Sequence, residues 1–409
     1  MNNPSHTYYG LPNEVLFCKK CVISNQRPNS TIEFKNRKDE TKKVINFNDE
    51  GVCSACEYHA EKDVVIDWQA RDGDLRALLA KFKRTDGGYD VIVPGSGGKD
   101  SAFTAHVLKY KYGMNPLTVT WAPHLYTPIG FENFADWMHV GGLDNILYTP
   151  NGKLHRLMTK NAFHNLLHPF QPFIIGQRII GPMMAKRFGV KLVIYGENQA
   201  EYGNAINENV KPVMSDEFFS TADPLDMRFG DIDMRSYIKD SGFELGDFAP
   251  YIPPKREEII SAGVEVHYLG YYLKWDPQEC YYYAVENTGF KGNTSRTEGS
   301  YSKYSSIDDK IDPFHYYTTL IKFGIGRATY DSAQEVRNDK ITRDEAAYLV
   351  KKYDTEFPKK YFKEFLGYID TTEDKFWKTI EKFRSPHLWR KVDGEWKLRH
   401  TVTVDGADD

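Results

Sequence analysis

The sequence has little of what marks an exported, membrane-embedded or nucleic-acid-binding chain. Its 409 residues contain only 5 cysteines, too few for a disulfide scaffold at this length. There is no excess of positive charge: 53 Lys+Arg stand against 57 Asp+Glu, a net −4, so nothing draws the chain as a whole to a polyanion and nucleic acid is not an expected partner. Long apolar runs are missing too. The most apolar region, Phe173 to Tyr195, is interrupted by Gln177, Arg178, Lys186, Arg187 and Lys191, and cannot supply the roughly 20 apolar residues of a membrane span. Met1 to Glu14 lack the charged start, apolar stretch and cleavage site of a secretory signal, so a cytoplasmic location is expected. Internal repeats and low-complexity tracts are absent. What is present suffices for large cores: 41% of residues are hydrophobic and 14% aromatic. At about 150 residues per domain, about two or three domains are expected.

The chain changes character along its length. Lys19 to Asp67 is polar and turn-rich, with Arg27-Pro28-Asn29-Ser30 and a charged run from Lys35 to Lys43, and buries too little apolar surface to fold unaided. From Tyr89 short apolar runs alternate with helical stretches. Strands are expected at Tyr89–Val93, Leu117–Trp121, Asn145–Thr149 and Lys191–Tyr195. Helices are expected before Gly113, near Ile129 to Val140, and from Ile174 to Phe188, where Gly189 stops the run. This order is the signature of a parallel α/β sheet. Regularity fades after about Gly203, an aromatic and charged segment follows from Trp275 to Tyr330, and Thr342 to Phe383 reads as helices, with Ala346, Leu349, Val350 and Tyr353 on one face.

The most specific feature is Val91-Ile92-Val93-Pro94-Gly95-Ser96-Gly97-Gly98-Lys99-Asp100-Ser101, a strand running through a glycine-rich turn into a helix. Glycines let backbone N–H groups approach an anion, and the helix start adds unsatisfied N–H groups and the positive end of its dipole. The turn is thus a phosphate cradle. Lys99 adds a point charge, Ser96 and Ser101 add hydroxyl donors, and Asp100 can hold Mg²⁺ directly or through water. The spacing fits neither the kinase and GTPase P-loop nor the dinucleotide fingerprint.

Cys18-Lys19-Lys20-Cys21 and Cys53-Ser54-Ala55-Cys56 are two CxxC knuckles. Each presents two thiolates to one metal, so Cys18, Cys21, Cys53 and Cys56 are expected to hold a tetrahedral, structural Zn²⁺ that supplies the missing folding free energy. Two disulfides, free thiols or an iron–sulfur cluster are the alternatives. His59 reads as a surface residue and Cys280 as a packed one.

Ser96 to Ser101, SGGKDS, resembles the PP-loop of the ATP pyrophosphatase superfamily, whose members cleave ATP between its α and β phosphates and adenylate an oxygen that a nitrogen or sulfur nucleophile then displaces. Gly196-Glu197-Asn198 falls where such enzymes carry a polar motif facing ATP, which makes Glu197 and Asn198 candidates for Mg²⁺ or nucleotide contacts; a solvated strand end is the alternative. The flanking motifs narrow the resemblance. The two-CxxC module, SGGKDS, GENxxEYGN at Gly196 to Asn204, WDPQECYYYAVENTGF at Trp275 to Phe290, RTEGSYSKYSSIDDKID at Arg296 to Asp312 and FHYYTTLIKFGIGRATYDSAQEVR at Phe314 to Arg337 together resemble the N-acetyl sugar amidotransferases of bacterial surface-polysaccharide (lipopolysaccharide O-antigen and nonulosonic acid) biosynthesis, from Cys18 to about Pro358.

That resemblance implies a Rossmann-like (adenine nucleotide alpha hydrolase-like) parallel-sheet PP-loop domain over 71–270, a zinc-binding module over 1–70, and a mostly helical substrate-binding region over 271–409. It implies an ATP-dependent conversion of an acetamido group on a nucleotide-activated or nonulosonic sugar into an acetamidino group, with ATP, Mg²⁺ and Zn²⁺ as cofactors. Lys99, Asp100 and Glu197 are the expected catalytic residues, and Gly95, Ser96, Gly97, Gly98, Ser101 and Asn198 complete the nucleotide site. Glu201, Tyr202, Arg296, Lys303, Tyr304, Lys310 and Arg327 are candidates for pyrophosphate or sugar contacts, while Tyr281 to Tyr283 are expected to pack. Ammonia is expected from a separate class I glutaminase subunit. Cys280, in Gln-Glu-Cys-Tyr, lacks a glycine-flanked elbow, and Met1 is not followed by cysteine. A PP-loop tRNA-modifying enzyme of the thiolase type is the alternative; against it, no cysteine lies near Ile174 to Phe188.

Overall fold

A computed structural model describes residues 6–204 and 211–404. Residues 1–5, 205–210 and 405–409, which include the ends of the first and last expected domains, lie outside that description. The centre of the molecule is a sheet of five parallel strands: β1 (Val91–Pro94), β2 (Pro116–Trp121), β3 (Asp144–Tyr148), β4 (Leu192–Tyr195) and β5 (Glu265–Tyr268), in spatial order β3-β2-β1-β4-β5. Side chains alternate between its two faces, as strand geometry requires. Ile92, Leu117, Val119, Val193 and Val266 enter one core. Val91, Val93, Leu192 and Ile194 enter the other. Burial on both faces is why the central strands read as continuous apolar runs rather than alternating ones.

The helices that matter for the site are α1 (Ser54–Val64), α2 (Trp68–Phe82), α3 (Lys99–Tyr110), α4 (Pro128–His139), α5 (Gly152–Leu166), α6 (Gln171–Phe188), α7 (Pro277–Thr288), α8 (Asp312–Phe323), α9 (Arg327–Arg337), α10 (Arg343–Tyr353), α11 (Phe362–Tyr368) and α12 (Glu373–Phe383). Helix α6 begins three residues before the sequence expectation, at Gln171, because Pro172 in its first turn needs no N–H partner. It ends as expected at Gly189, whose φ of 64° forms the left-handed cap. Helix α3 covers one face of the sheet, with α7 packed on it and residues of α2 and α4 in the same core; α6 covers the other, with α5 packed on it and the carboxy-terminal helices α8, α11 and α12 sharing that core.

Several elements escaped the sequence reading, among them helices α1, α2 and α5, with α1 lying inside the stretch read as turn-rich, and two β elements. Strand β5 follows a long irregular stretch and is only Glu265-Val266-His267-Tyr268, too short and polar to show a period. The terminal hairpin, Trp389–Val392 with Glu395–Leu398, turns at Asp393-Gly394, both at positive φ.

The cysteine module does not stand apart. Its core residues Val22, Ile23, Ile45 and Ala55 form one cluster with Ile325, Ala333, Ala346, Ala347 and Val402. Its apolar partner surface therefore comes from α9 and α10, some 300 residues further on. Among the described residues, no helix is long and apolar enough to cross a membrane.

Candidate active site

The strand order reverses direction between β1 and β4: the chain builds outward through β2 and β3 on one side and through β4 and β5 on the other. Ligands of open α/β sheets bind beyond the carboxyl ends of the strands at such a switch point. The glycine-rich turn leaves the end of β1 there, and Gly196-Glu197-Asn198 leaves the end of β4. Both border a cavity of about 530 Å³.

The turn has its shape for steric reasons. Gly97 sits at φ +83°, and a Cβ there would lie 2.8 Å from the Phe134 backbone, so no other residue fits without displacing α4. Gly95 is as restricted, since its Cβ would lie 2.1 Å from that of Ser101. Gly98 is the N-cap of α3 and has no side chain with which to satisfy the helix's free N–H groups, which leaves them for an anion. Ser101 Oγ donates to the Gly98 carbonyl at 3.0 Å and stays within the turn rather than facing the cavity.

Lys99 is buried, and its Nζ donates to both Asp100 carboxylate oxygens at 2.6 Å. Burial opposes its charge, but Asp100 and Glu197 outweigh burial and hold its pKa above the usual lysine value. Glu197 moves the other way for a carboxyl. Burial and the neighbouring Asp100 charge push it up to about 7, against the opposing pull of Lys99 and a hydrogen bond from Tyr202. Lys99, Asp100, Glu197 and Tyr202 thus form one coupled group on the cavity wall. Asp100 and Glu197 are the carboxylates there that suit a hard divalent cation such as Mg²⁺.

The opposite walls come from the two ends of the chain. Ile23, Arg27, Ser30, Ile45 and Ala55 belong to the cysteine module. Tyr304, Asp308, Tyr316, Arg327, Asp331 and Glu335 belong to the carboxy-terminal region. Ser96 Oγ donates to Asp308 at 2.8 Å, tying the phosphate turn to that region directly. Arg327 lies over the Tyr316 ring at 4.3 Å and pairs with Asp331 at 2.9 Å.

The cavity gathers most of the expected nucleotide residues and part of the substrate set. Ser96, Gly97, Gly98, Lys99, Asp100, Glu197, Tyr202, Tyr304 and Arg327 line it. Other candidates are engaged elsewhere. Asn198 is buried, caps the short helix that follows it and donates to Tyr58 at 3.3 Å. Glu201 forms a buried ion pair with Lys62 at 2.8 Å, and Lys62 also donates to the Trp275 carbonyl. Arg296 forms a two-pronged pair with Glu356 at 2.6 and 2.7 Å. Lys310 stands 3.9 Å from Glu364, and Lys303 is exposed outside the cavity. Tyr281 stacks on Tyr304 at 4.2 Å and Tyr283 hydrogen-bonds His106, so both pack.

Sequence reading missed Arg27, Asp308, Tyr316, Asp331, Glu335 and Arg337 as cavity residues. Asp308 lies within the Arg296 to Asp312 motif among Arg, Lys and Tyr residues with more evident ligand chemistry; Arg27 reads locally as a turn residue.

The four cysteines converge as the spacing predicts. All are buried, none is in a disulfide, and their Sγ atoms lie within 4.8 Å of one another. Cys18–Cys56 and Cys21–Cys53 are 3.9 and 3.8 Å apart. A tetrahedron with metal–sulfur bonds of about 2.3 Å has edges of about 3.8 Å, so the cage fits a single ion. Backbone N–H groups of Lys20, Cys21 and Cys53 point at Cys18 Sγ, and Arg337 donates to Cys21 Sγ at 3.8 Å. These donors stabilise thiolate charge.

Comparison with known proteins adds the following. An uncharacterized protein of Methanocaldococcus jannaschii is 31% identical over 80 residues, which are 20% of this chain and 28% of that protein; the chain therefore spans less than a third of that relative's length. Similar solved structures include NMN synthetase from Francisella tularensis, at 12% identity and a TM-score of 0.30, covering 76% of this chain and 96% of that one. The U34-tRNA thiolase NcsA from Methanococcus maripaludis with its 4Fe-4S cluster is 13% identical with a TM-score of 0.29, covering 69% and 80%. NH3-dependent NAD synthetase from Campylobacter jejuni, in complex with the nitrate ion, is 16% identical with a TM-score of 0.26, covering 32% and 56%. Residues 298–403, which build the carboxy-terminal wall of the cavity from Ser302 to Lys340, match the family described as LPS biosynthesis protein WbpG-like, C-terminal domain.

Proposed function

We propose that the protein is an ATP-dependent amidotransferase of lipopolysaccharide and related surface-glycan biosynthesis, acting in the cytoplasm. It converts an acetamido group of an N-acetylated sugar into an acetamidino group with formation of AMP and pyrophosphate. One observation carries this reading: the phosphate turn and the WbpG-like segment share one cavity and are joined by the Ser96–Asp308 hydrogen bond.

The chemistry suits the residues. An amide oxygen is a poor leaving group. In the proposed first step it attacks the α-phosphorus of ATP, and the bond from that phosphorus to the bridging oxygen breaks, releasing pyrophosphate. Ammonia then adds to the imidate carbon, and the carbon–oxygen bond to AMP breaks. Lys99 and the free N–H groups of α3 stabilise the charge that builds on the leaving pyrophosphate. Mg²⁺, held by Asp100 or Glu197, would share that charge. The proton that the added ammonia must lose passes to the departing AMP or to solvent. The aromatic walls at Tyr202, Tyr304 and Tyr316 limit water, which would hydrolyse the adenylate. Ammonia is supplied by a separate glutaminase subunit.

The cysteine cage is read as a zinc site, because its edges match one ion whereas a cluster with an iron at each corner spreads its thiolates further. The thiolase alternative finds less support, since none of the 5 cysteines borders the cavity.

The test is a mass-resolved incubation of purified protein with ATP, Mg²⁺, an ammonium salt and a panel of nucleotide-linked N-acetyl sugars and nonulosonic acids. A product lighter by the replacement of oxygen by NH, formed with equimolar AMP and pyrophosphate, is the expected result. AMP formation only on addition of bulk tRNA would overturn it.

A further inference from the structure

Each lysine and arginine that reaches the cavity has an answering group, with one exception among the described residues. Lys99 is paired with Asp100, Arg327 with Asp331, and Lys340 with Asp276 and Glu279. Arg337 donates to Cys21 Sγ and to the Glu201 carbonyl. Arg27 forms no ion pair with a carboxylate, and none is among the groups that act on it most strongly. It is 6% exposed, its Nη1 is buried without a hydrogen-bond partner, and the groups that act on it most strongly are Tyr330, Arg337, Cys53 and Tyr202. Its guanidinium stands 6.0 Å from the Tyr330 ring centre. Its backbone is pinned: the N–H donates to Ser24 and the carbonyl accepts from Ile45, so the side chain is delivered to the cavity by the fold of the cysteine module.

A buried cation without a counter-charge is destabilising, and a like charge at Arg337 adds to the cost. Such an arrangement persists when a ligand supplies the missing anion, and a guanidinium offers a fork that matches carboxylate and phosphate oxygens. The thiolate cage is the other source of negative charge nearby. Its counter-ion is Arg337, which touches Cys21, whereas no hydrogen bond joins Arg27 to a sulfur.

We propose that Arg27 is the receptor for an anionic group, a carboxylate or a phosphate, of the molecule that enters the cavity alongside ATP. The inference rests on the proposed function only in taking the cavity as the sugar site. It gives the cysteine module a role in substrate selection beyond folding: neutral sugars without a phosphate are rejected because they leave the guanidinium uncompensated.

The test uses full-length, metal-loaded protein and titration calorimetry with two probes. N-acetylneuraminic acid carries a carboxylate and no phosphate; UDP-N-acetylglucosamine carries a diphosphate and no carboxylate. The expected result is that one of them binds the wild type, and that Arg27→Gln weakens it by about tenfold or more with metal content and ATP affinity unchanged. The probe that responds identifies the anion. Should Arg27→Gln shed metal, Arg27→Lys decides: it keeps the charge and removes the fork, and a loss under about threefold overturns the proposal. So does binding of neither probe to the wild type, or equal binding by wild type and Arg27→Gln. ATP is titrated separately, with Lys99→Ala as control. Failure to bind ATP would undo the proposed function while the Arg27 result stands or falls by itself.

Discussion

Ser96 and Asp308, separated by 212 positions in the chain, are joined side chain to side chain at 2.8 Å. The bond links the phosphate turn to the loop before α8, and α4 is wedged alongside, since a Cβ on Gly130 would lie 2.4 Å from Asp308 Cα. The glycine-rich turn and the carboxy-terminal wall of the cavity therefore share one joint.

Removing that joint with Ser96→Ala deletes one hydrogen bond to a half-buried carboxylate. Unfolding in urea should show a loss of about 1 kcal/mol. ATP turnover should fall by more than that stability change explains, because the turn loses its reference to the opposite wall.

Lys99→Ala should abolish turnover. It removes the cation that opposes both Asp100 and Glu197, so kcat/KM for AMP formation should drop by about a hundredfold or more, with an unchanged far-ultraviolet circular dichroism spectrum. Near-normal AMP formation would falsify the phosphate-loop assignment.

Glu197 makes stability depend on pH in a stated direction. Its folded pKa of about 7 lies above its ordinary 4.5, so the folded state binds the proton more tightly. The stabilisation from this group is complete below pH 4.5 and is lost as pH rises through about 7. Glu197→Gln should therefore melt higher than wild type at pH 8, with the difference shrinking toward pH 5, while turnover is lost. A pH-independent difference in Tm would contradict the assignment.

Glu201 should matter for stability before chemistry. Glu201→Ala strands Lys62, whose side chain is 0% exposed, and should cost about 3–5 kcal/mol in urea unfolding. Replacing both residues by apolar ones of similar volume should recover much of the loss.

Cys18→Ser removes one ligand of the proposed metal site and should lower both metal content and Tm, the latter by about 5 °C or more, read by metal analysis and calorimetry. Because the module contributes Ile23, Arg27 and Ala55 to the cavity, the substitution should also raise the KM for the proposed sugar substrate. An intact Tm after chelation would argue against a structural metal.

Much of this was written locally in the sequence. A strand, a turn of three glycines around Ser96, and Lys99 opening a helix define the cradle because φ preference, helix ends and apolar runs are properties of neighbouring residues. CxxC spacing specifies a thiolate cage for the same reason, and Gly189 marks the end of α6. Tertiary structure alone decided which charges are spent and which are free. Arg296, Lys310 and Glu201 have the side-chain chemistry of ligand contacts, yet carboxylates or ammonium groups 60, 54 and 139 positions away neutralise them. Arg27, in an unremarkable turn, is left without one. Pairing of charges depends on distances across the fold, which chain neighbours do not determine; the sequence by itself determined the cradle and the cage, and packing determined what faces them.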